Sequence, residues 1–112
     1  MRCKWTTLEN HPVTVIELAG EIDSERELEP LEEIAQKEET EHVAVLLEHV
    51  TYINSRGVGV LVRLKDILGK RGSELYLVGP MAGVVDVIRC LGGDDVFNMR
   101  DSLQDVIREV EG

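Results

Sequence analysis

The residue best placed to carry chemistry is Ser55, within Ile53-Asn54-Ser55-Arg56-Gly57-Val58-Gly59. This stretch falls where a near-continuous apolar run, Val43 to Leu47 and then Val50 to Ile53, gives way to helical spacing. A hydroxyl just ahead of a glycine-led helix start lies at the positive end of the helix dipole. Three roles suit it there: capping the helix by accepting a backbone N–H, bordering a bound anion, or accepting a phosphate. Hydrolysis fits less well, because a nucleophile elbow has the form Gly-x-Ser-x-Gly and position 53 is Ile. The Gly57-x-Gly59 pair lacks the lysine and the length of a P-loop. His11, His42 and His49 have no ligand spacing with Cys3 and Cys90, so neither a metal nor a cofactor is expected. The two cysteines, far apart in sequence, read as reduced thiols of a cytosolic protein.

The elements on either side must position Ser55. Met1 to Leu8 suits an edge strand, turning through Asn10-His11-Pro12 into the β-branched strand Val13 to Leu18, which Gly20 should end. An acidic helix follows, entered through a Ser24/Glu27 capping box or, at lower cost, with Pro30 as its first residue. Leu28, Leu31, Ile34 and Ala35 form its apolar stripe, while Glu32, Glu33, Lys37, Glu38 and Glu39 face water. Val43 to Leu47 lacks alternation, as a strand buried on both faces should.

The spacing predicts the next helix over Gly57 to Gly69, with Gly57, Val60, Leu61, Leu64, Ile67 and Leu68 on its core side. Val58 and Val62 fall toward the polar side near Ser55 and Asp66, which suggests an exposed apolar patch in line with the serine. Gly57 should allow close helix–strand packing; Gly59 could do the same or admit a partner's backbone. Glu74 to Val78 reads as an inner strand, Ala82 to Leu91 as a helix stopped by Gly92-Gly93, and Val96 to Met99 as a short strand or bridge. A capping box of Asp101 and Gln104 would start a last helix with Leu103, Val106, Ile107 and Val110 inward. Strands joined by helices imply an α/β fold with a mostly parallel central sheet of roughly four or five strands, about four helices and an antiparallel edge.

With 112 residues, the chain has the length of one domain, 1–112, and its hydrophobic share of 43% and charged share of 30% are those of a soluble protein. The formal charge of −10 argues against nucleic acid or an anionic membrane surface as partner and leaves basic protein surfaces open. No apolar run reaches membrane-spanning length and none resembles a leader, so a cytoplasmic setting is expected. The sequence sets no oligomeric state.

From about Val13 onward the order of elements and two motifs resemble the STAS domain of bacterial anti-sigma factor antagonists. The motifs are Gly20-Glu21-Ile22-Asp23 and Tyr52-Ile53-Asn54-Ser55-Arg56-Gly57-Val58-Gly59, with support from Gly79-Pro80 and from Ile88 to Gly93 before Val96-Phe97. The resemblance implies a STAS-like domain without enzymatic activity. It implies that Ser55 is phosphorylated by an anti-sigma factor that is itself a serine kinase, that phosphorylation ends binding, and that a serine phosphatase restores it. Asp23, Asn54, Ser55, Arg56, Val58, Gly59, Val62 and Asp66 would then carry the partner contact. Such proteins usually have an acid at position 54 and a small hydroxyl residue at position 56; Asn54 and Arg56 instead favour a second reading, an unswitched STAS scaffold or ligand-sensing module in a signalling assembly.

Overall fold

A computed structural model describes residues 2–7, 13–23, 31, 33, 42–92 and 96–111. Strands β1 (Arg2–Thr7), β2 (Val13–Ile22) and β3 (His42–Ile53) come first, followed by helix α1 (Ser55–Gly69). Strand β4 (Glu74–Val78), helix α2 (Ala82–Gly92), strand β5 (Asn98–Arg100) and helix α3 (Leu103–Glu111) complete the order. The strands lie side by side in chain order, with β1 antiparallel to β2 and every later pairing parallel. The antiparallel edge and the parallel centre are those expected from the pattern of elements.

Several boundaries differ from the expectation. Gly20 does not end its strand: β2 continues to Ile22, and Gly20 takes a φ of 93° between two register shifts against β3. A side chain at that φ would be strained, so the glycine lets an irregular strand run on. α1 begins two residues earlier than predicted, at Ser55. The last strand is Asn98–Arg100, after a buried Phe97. Ser102, not Asp101, caps α3, its Oγ accepting from the Asp105 backbone N–H at 3.2 Å. The acidic helix lies outside the described residues except at Leu31, helical and fully buried, and Glu33, helical and exposed. The Asn10–Pro12 turn and Gly93 also lie outside them.

Both faces of the sheet are used, which explains why Val43 to Leu47 does not alternate. Val43, Val45 and Leu47 point into the larger core with Ile16, Leu18 and Leu77, under α1 and α2. Ala44 points the other way, with Val13, Val15, Tyr76 and Val78 under Val106 of α3. Leu61, Leu64 and Leu68 of α1 have no exposed surface, and burying each side chain contributes about 1.5–3 kcal/mol.

α3 is tied to the edge of the sheet by Arg100. Its Nε and Nη2 donate to the two carboxylate oxygens of Glu109 at 2.6 and 2.7 Å, and its guanidinium lies 5.7 Å from the centroid of the Tyr76 ring. Hydrogen bonds from Arg100 hold the Glu109 carboxyl below the usual glutamate range. The folded-state pKa is thus lower than the unfolded one, so the pair stabilises the fold above the unfolded value and is lost as pH falls through the folded value. Thermal midpoints of the wild type and Glu109→Gln should differ near neutral pH and converge on acidification below the glutamate range. A difference that persists in acid would remove the ion pair as its cause.

Candidate functional site at the start of the first helix

β2 and β3 run parallel and end together, with Ile22 in register with Ile53. The turn between β3 and α1 therefore meets the chain leaving β2, at the carboxyl edge of the sheet. Asn54 sits in this turn with φ −119° and ψ −174°, extended while the next residue is already helical. Its Oδ1 accepts from the backbone N–H of Arg56 and of Gly57, each at 3.1 Å, and its Nδ2 donates to the Asp23 carbonyl at 3.2 Å. Its backbone N–H reaches the Ile22 carbonyl at 3.3 Å, and its own carbonyl accepts the first helical bond, from Val58, at 3.0 Å.

Asn54, then, caps α1, and Ser55 does not. An amide ranks with serine as a cap, and Asn54 has the extended backbone that a cap requires. Ser55 becomes the first helical residue, with an exposed side chain. The Arg56 and Gly57 N–H groups, donors that an anion at this helix end would use, are already bonded to Asn54.

Gly57 is required by packing. A Cβ there would lie 2.6 Å from the Ile22 carbonyl oxygen and 2.7 Å from Cγ1 of Ile53. Gly59, about half a turn further on and exposed, has nothing among the described residues within 4 Å of where a Cβ would stand.

Of the residues expected to meet a partner, the structure brings Asp23, Asn54, Ser55 and Arg56 together at this edge, with Gly59 and Asp66 exposed further along α1. The expected valine patch is not there. Val58 is only 3% exposed and belongs to the larger core, and Val62 is half-buried against the same core. The reason is the width of the buried arc. α1 packs on the sheet and also on α2, and both valines join the larger core, beyond the stripe that a single contact would cover. Tyr52, by contrast, was not picked out as a surface residue; it is half-exposed just before the cap, aligned with Glu21. Its signal was hidden because Val50 to Ile53 reads as one apolar run.

His42 accepts from the Glu74 N–H at 3.2 Å near the opposite ends of the strands, and His49 Nε2 is 3.5 Å from Glu48. Burial raises the Cys3 thiol above its ordinary pKa. Both Cys3 and Cys90 are free. No cluster of ligating side chains suited to a metal occurs among the described residues.

The STAS domain sequence profile matches residues 4–106. The chain belongs to the STAS domain family. No curated protein matches this STAS domain in sequence. Its fold is similar to that of the unphosphorylated anti-sigma factor antagonist SpoIIAA, with 19% identity, 99% of each chain covered and a TM-score of 0.75. It is similar also to the phosphorylated form of the Bacillus protein, at 18% identity, 97% and 99% coverage and a TM-score of 0.73. RsbS of Moorella thermoacetica, carrying a serine-to-glutamate change, matches at 13% identity, with 99% of this chain and 96% of that one covered and a TM-score of 0.81. A murine anion transporter, Slc26a9, contains a similar domain: 17% identity over 90% of this chain but 18% of that one, with a TM-score of 0.76. Among the described residues, no helix of this STAS domain is long and apolar enough to cross a membrane.

Two substitutions test how the site is held. Asn54→Ala should cost about 1 kcal/mol of stability, measured by chemical denaturation. Gly57→Ala should cost roughly 1–3 kcal/mol through overpacking against backbone, the larger loss of the two. A neutral Gly57→Ala would mean that the helix can move off β2 freely.

Proposed function

We propose that this STAS domain is a cytoplasmic anti-sigma factor antagonist that binds a kinase-type anti-sigma factor and is switched off by phosphorylation of Ser55. The observation that carries the reading is the placement of Ser55: exposed, first in α1, and held by a cap that leaves its hydroxyl outside the fold. Similarity in fold to SpoIIAA and RsbS supports it. In the transfer, Ser55 Oγ forms a bond to the γ-phosphorus of ATP, the bond to the β,γ-bridging oxygen breaks, ADP leaves, and the hydroxyl proton passes to a base of the kinase. A serine phosphatase would return the hydroxyl by hydrolysis.

Phosphorylation adds about −1.5 to −2 charges. Because Asn54 already holds the Arg56 and Gly57 N–H groups, the phosphate is left on the surface beside the Arg56 side chain. The fold then has no need to rearrange, and the dianion acts on the interface. A partner shaped to a hydroxyl cannot cover it without leaving charge desolvated.

The second reading, an unswitched STAS interaction module, is favoured by Asn54 and Arg56 and by the occurrence of a similar domain within a much longer transporter chain. The two separate on one comparison. Incubation with a cognate anti-sigma factor kinase and ATP should add one phosphate, located at Ser55 by mass spectrometry. Ser55→Ala should abolish it, and Ser55→Asp should weaken binding to that kinase by roughly a hundredfold, about 2.7 kcal/mol. Unchanged binding of Ser55→Asp would support the unswitched module; a phosphate on another residue would remove Ser55 from the switch.

A further inference from the structure

The segment of α1 and the turn after it has a charge opposite to that of the chain. Between positions 56 and 71 lie Arg56, Arg63, Lys65, Lys70 and Arg71, five of the twelve basic residues, with Asp66 alone of the twenty-two acidic ones. All six are exposed. At about 100° per residue, Ser55, Arg56, Gly59, Arg63, Asp66 and Lys70 share one arc of roughly 100°. A stretch of net positive charge on a protein of −10 opposes the background and needs a cause other than solubility.

Gly59 supplies a second, independent observation. Glycine inside a helix costs about 1 kcal/mol relative to alanine, yet among the described residues nothing beyond the helix's own neighbouring backbone lies within 4 Å of where a Cβ would stand. Gly57 shows what a structurally required glycine looks like in the same helix, with a backbone oxygen at 2.6 Å. Among the described residues nothing packs where a side chain at 59 would stand. An approach from outside would use that space.

We infer that the Ser55–Lys70 face of α1 receives an acidic protein surface, with partner backbone entering at Gly59 and partner carboxylates meeting Arg56, Arg63 and Lys70. This inference builds on the proposed antagonist reading, in which the same face meets the anti-sigma factor, and it adds the chemistry of that partner. Asp66 on the face, with Asp23 and Glu21 at its Ser55 end, sets its limits: the carboxylates belong along α1, not at the β2 turn. A nucleic acid suits the face less well, because its extended charge would also meet the acidic remainder of the chain.

The test uses the intact chain, isotope-labelled for NMR and titrated with a helical Glu-Ala peptide at low salt. Shifts should concentrate at Arg56, Gly59, Arg63 and Lys70, and added salt should reverse them. Arg56→Glu with Lys70→Glu should weaken the peptide roughly tenfold, about 1.4 kcal/mol. Gly59→Ala should raise the melting temperature while lowering affinity severalfold. Shifts spread over the surface or centred elsewhere, or an affinity untouched by Gly59→Ala, would overturn the inference. So would tighter binding of duplex DNA, or the same shifts appearing with concentration in the chain alone, which would assign the face to a second copy. A kinase that fails to bind the wild type while the peptide binds at α1 would remove the antagonist reading and leave this one standing.

Discussion

One side-chain amide, that of Asn54, joins two parts of the chain that are 31 residues apart in sequence. Its oxygen accepts from two orphan donors of α1, and its nitrogen donates to the carbonyl of Asp23 as the chain leaves β2. Asparagine does both with separate atoms, whereas a serine hydroxyl would have to accept and donate at one shorter-reaching oxygen, and aspartate offers only acceptors when ionised. The bond is useful because β2 and β3 already end in register, so the amide spans a gap that the parallel sheet has set. The close approach of Gly57 to the Ile22 carbonyl acts at the same place. Cap and glycine together fix where the first residue of α1 emerges, which is the position of Ser55.

That arrangement separates two properties that often conflict. A residue at a helix start is usually committed to satisfying backbone groups, and modifying it then costs the helix its cap. Here the cap is the neighbouring residue, so Ser55 can change its charge while the helix keeps its bonds. On the proposed reading the switch is therefore local, with the same backbone in both states and a different surface. The alternative of a phosphate drawn into the helix end would require it to displace the Asn54 oxygen from two N–H groups. It would also require loss of the tie to Asp23, so the displacement would loosen β2 as well.

Much of the architecture was legible because apolar periodicity is strong wherever a surface is buried on one known side. The unalternating Val43 to Leu47, the core stripe of Leu61, Leu64 and Leu68, and the parallel centre followed from it. The errors came where a local rule met a contact distant in sequence. The wheel sets Val58 outside because it assumes one narrow buried direction, whereas Val58 belongs to the larger core. Gly20 was read as a strand end because glycine weakens a strand; the structure instead uses its positive φ within a bulge whose partner is β3. Capping was one of three roles open to Ser55 because serine is a good cap, but the extended Asn54 beside it ranks as well and has the Asp23 carbonyl, just past β2, within reach. Tyr52 stayed hidden within an apolar run that gave no sign of which face each residue would take.

The two glycines of α1 show how far a letter in a sequence falls short of its role. Both stand in the first turns of the same helix, and both forgo the stability that alanine would bring. At Gly57 the reason is inside the molecule, since a methyl group would strike the backbone of β2. At Gly59 no such contact occurs among the described residues, and the proposed reason is a partner. The loss of the valine patch sharpens this point. With Val58 in the core and Val62 half-buried, the helix offers little apolar area for a partner to cover, and association through it must rely on shape and charge. A bare stretch of helix flanked by arginine and lysine provides both. Such an interface would be sensitive to one added dianion at its end, more so than an apolar patch of equal size, because charge acts across the whole face at low ionic strength while apolar contact does not.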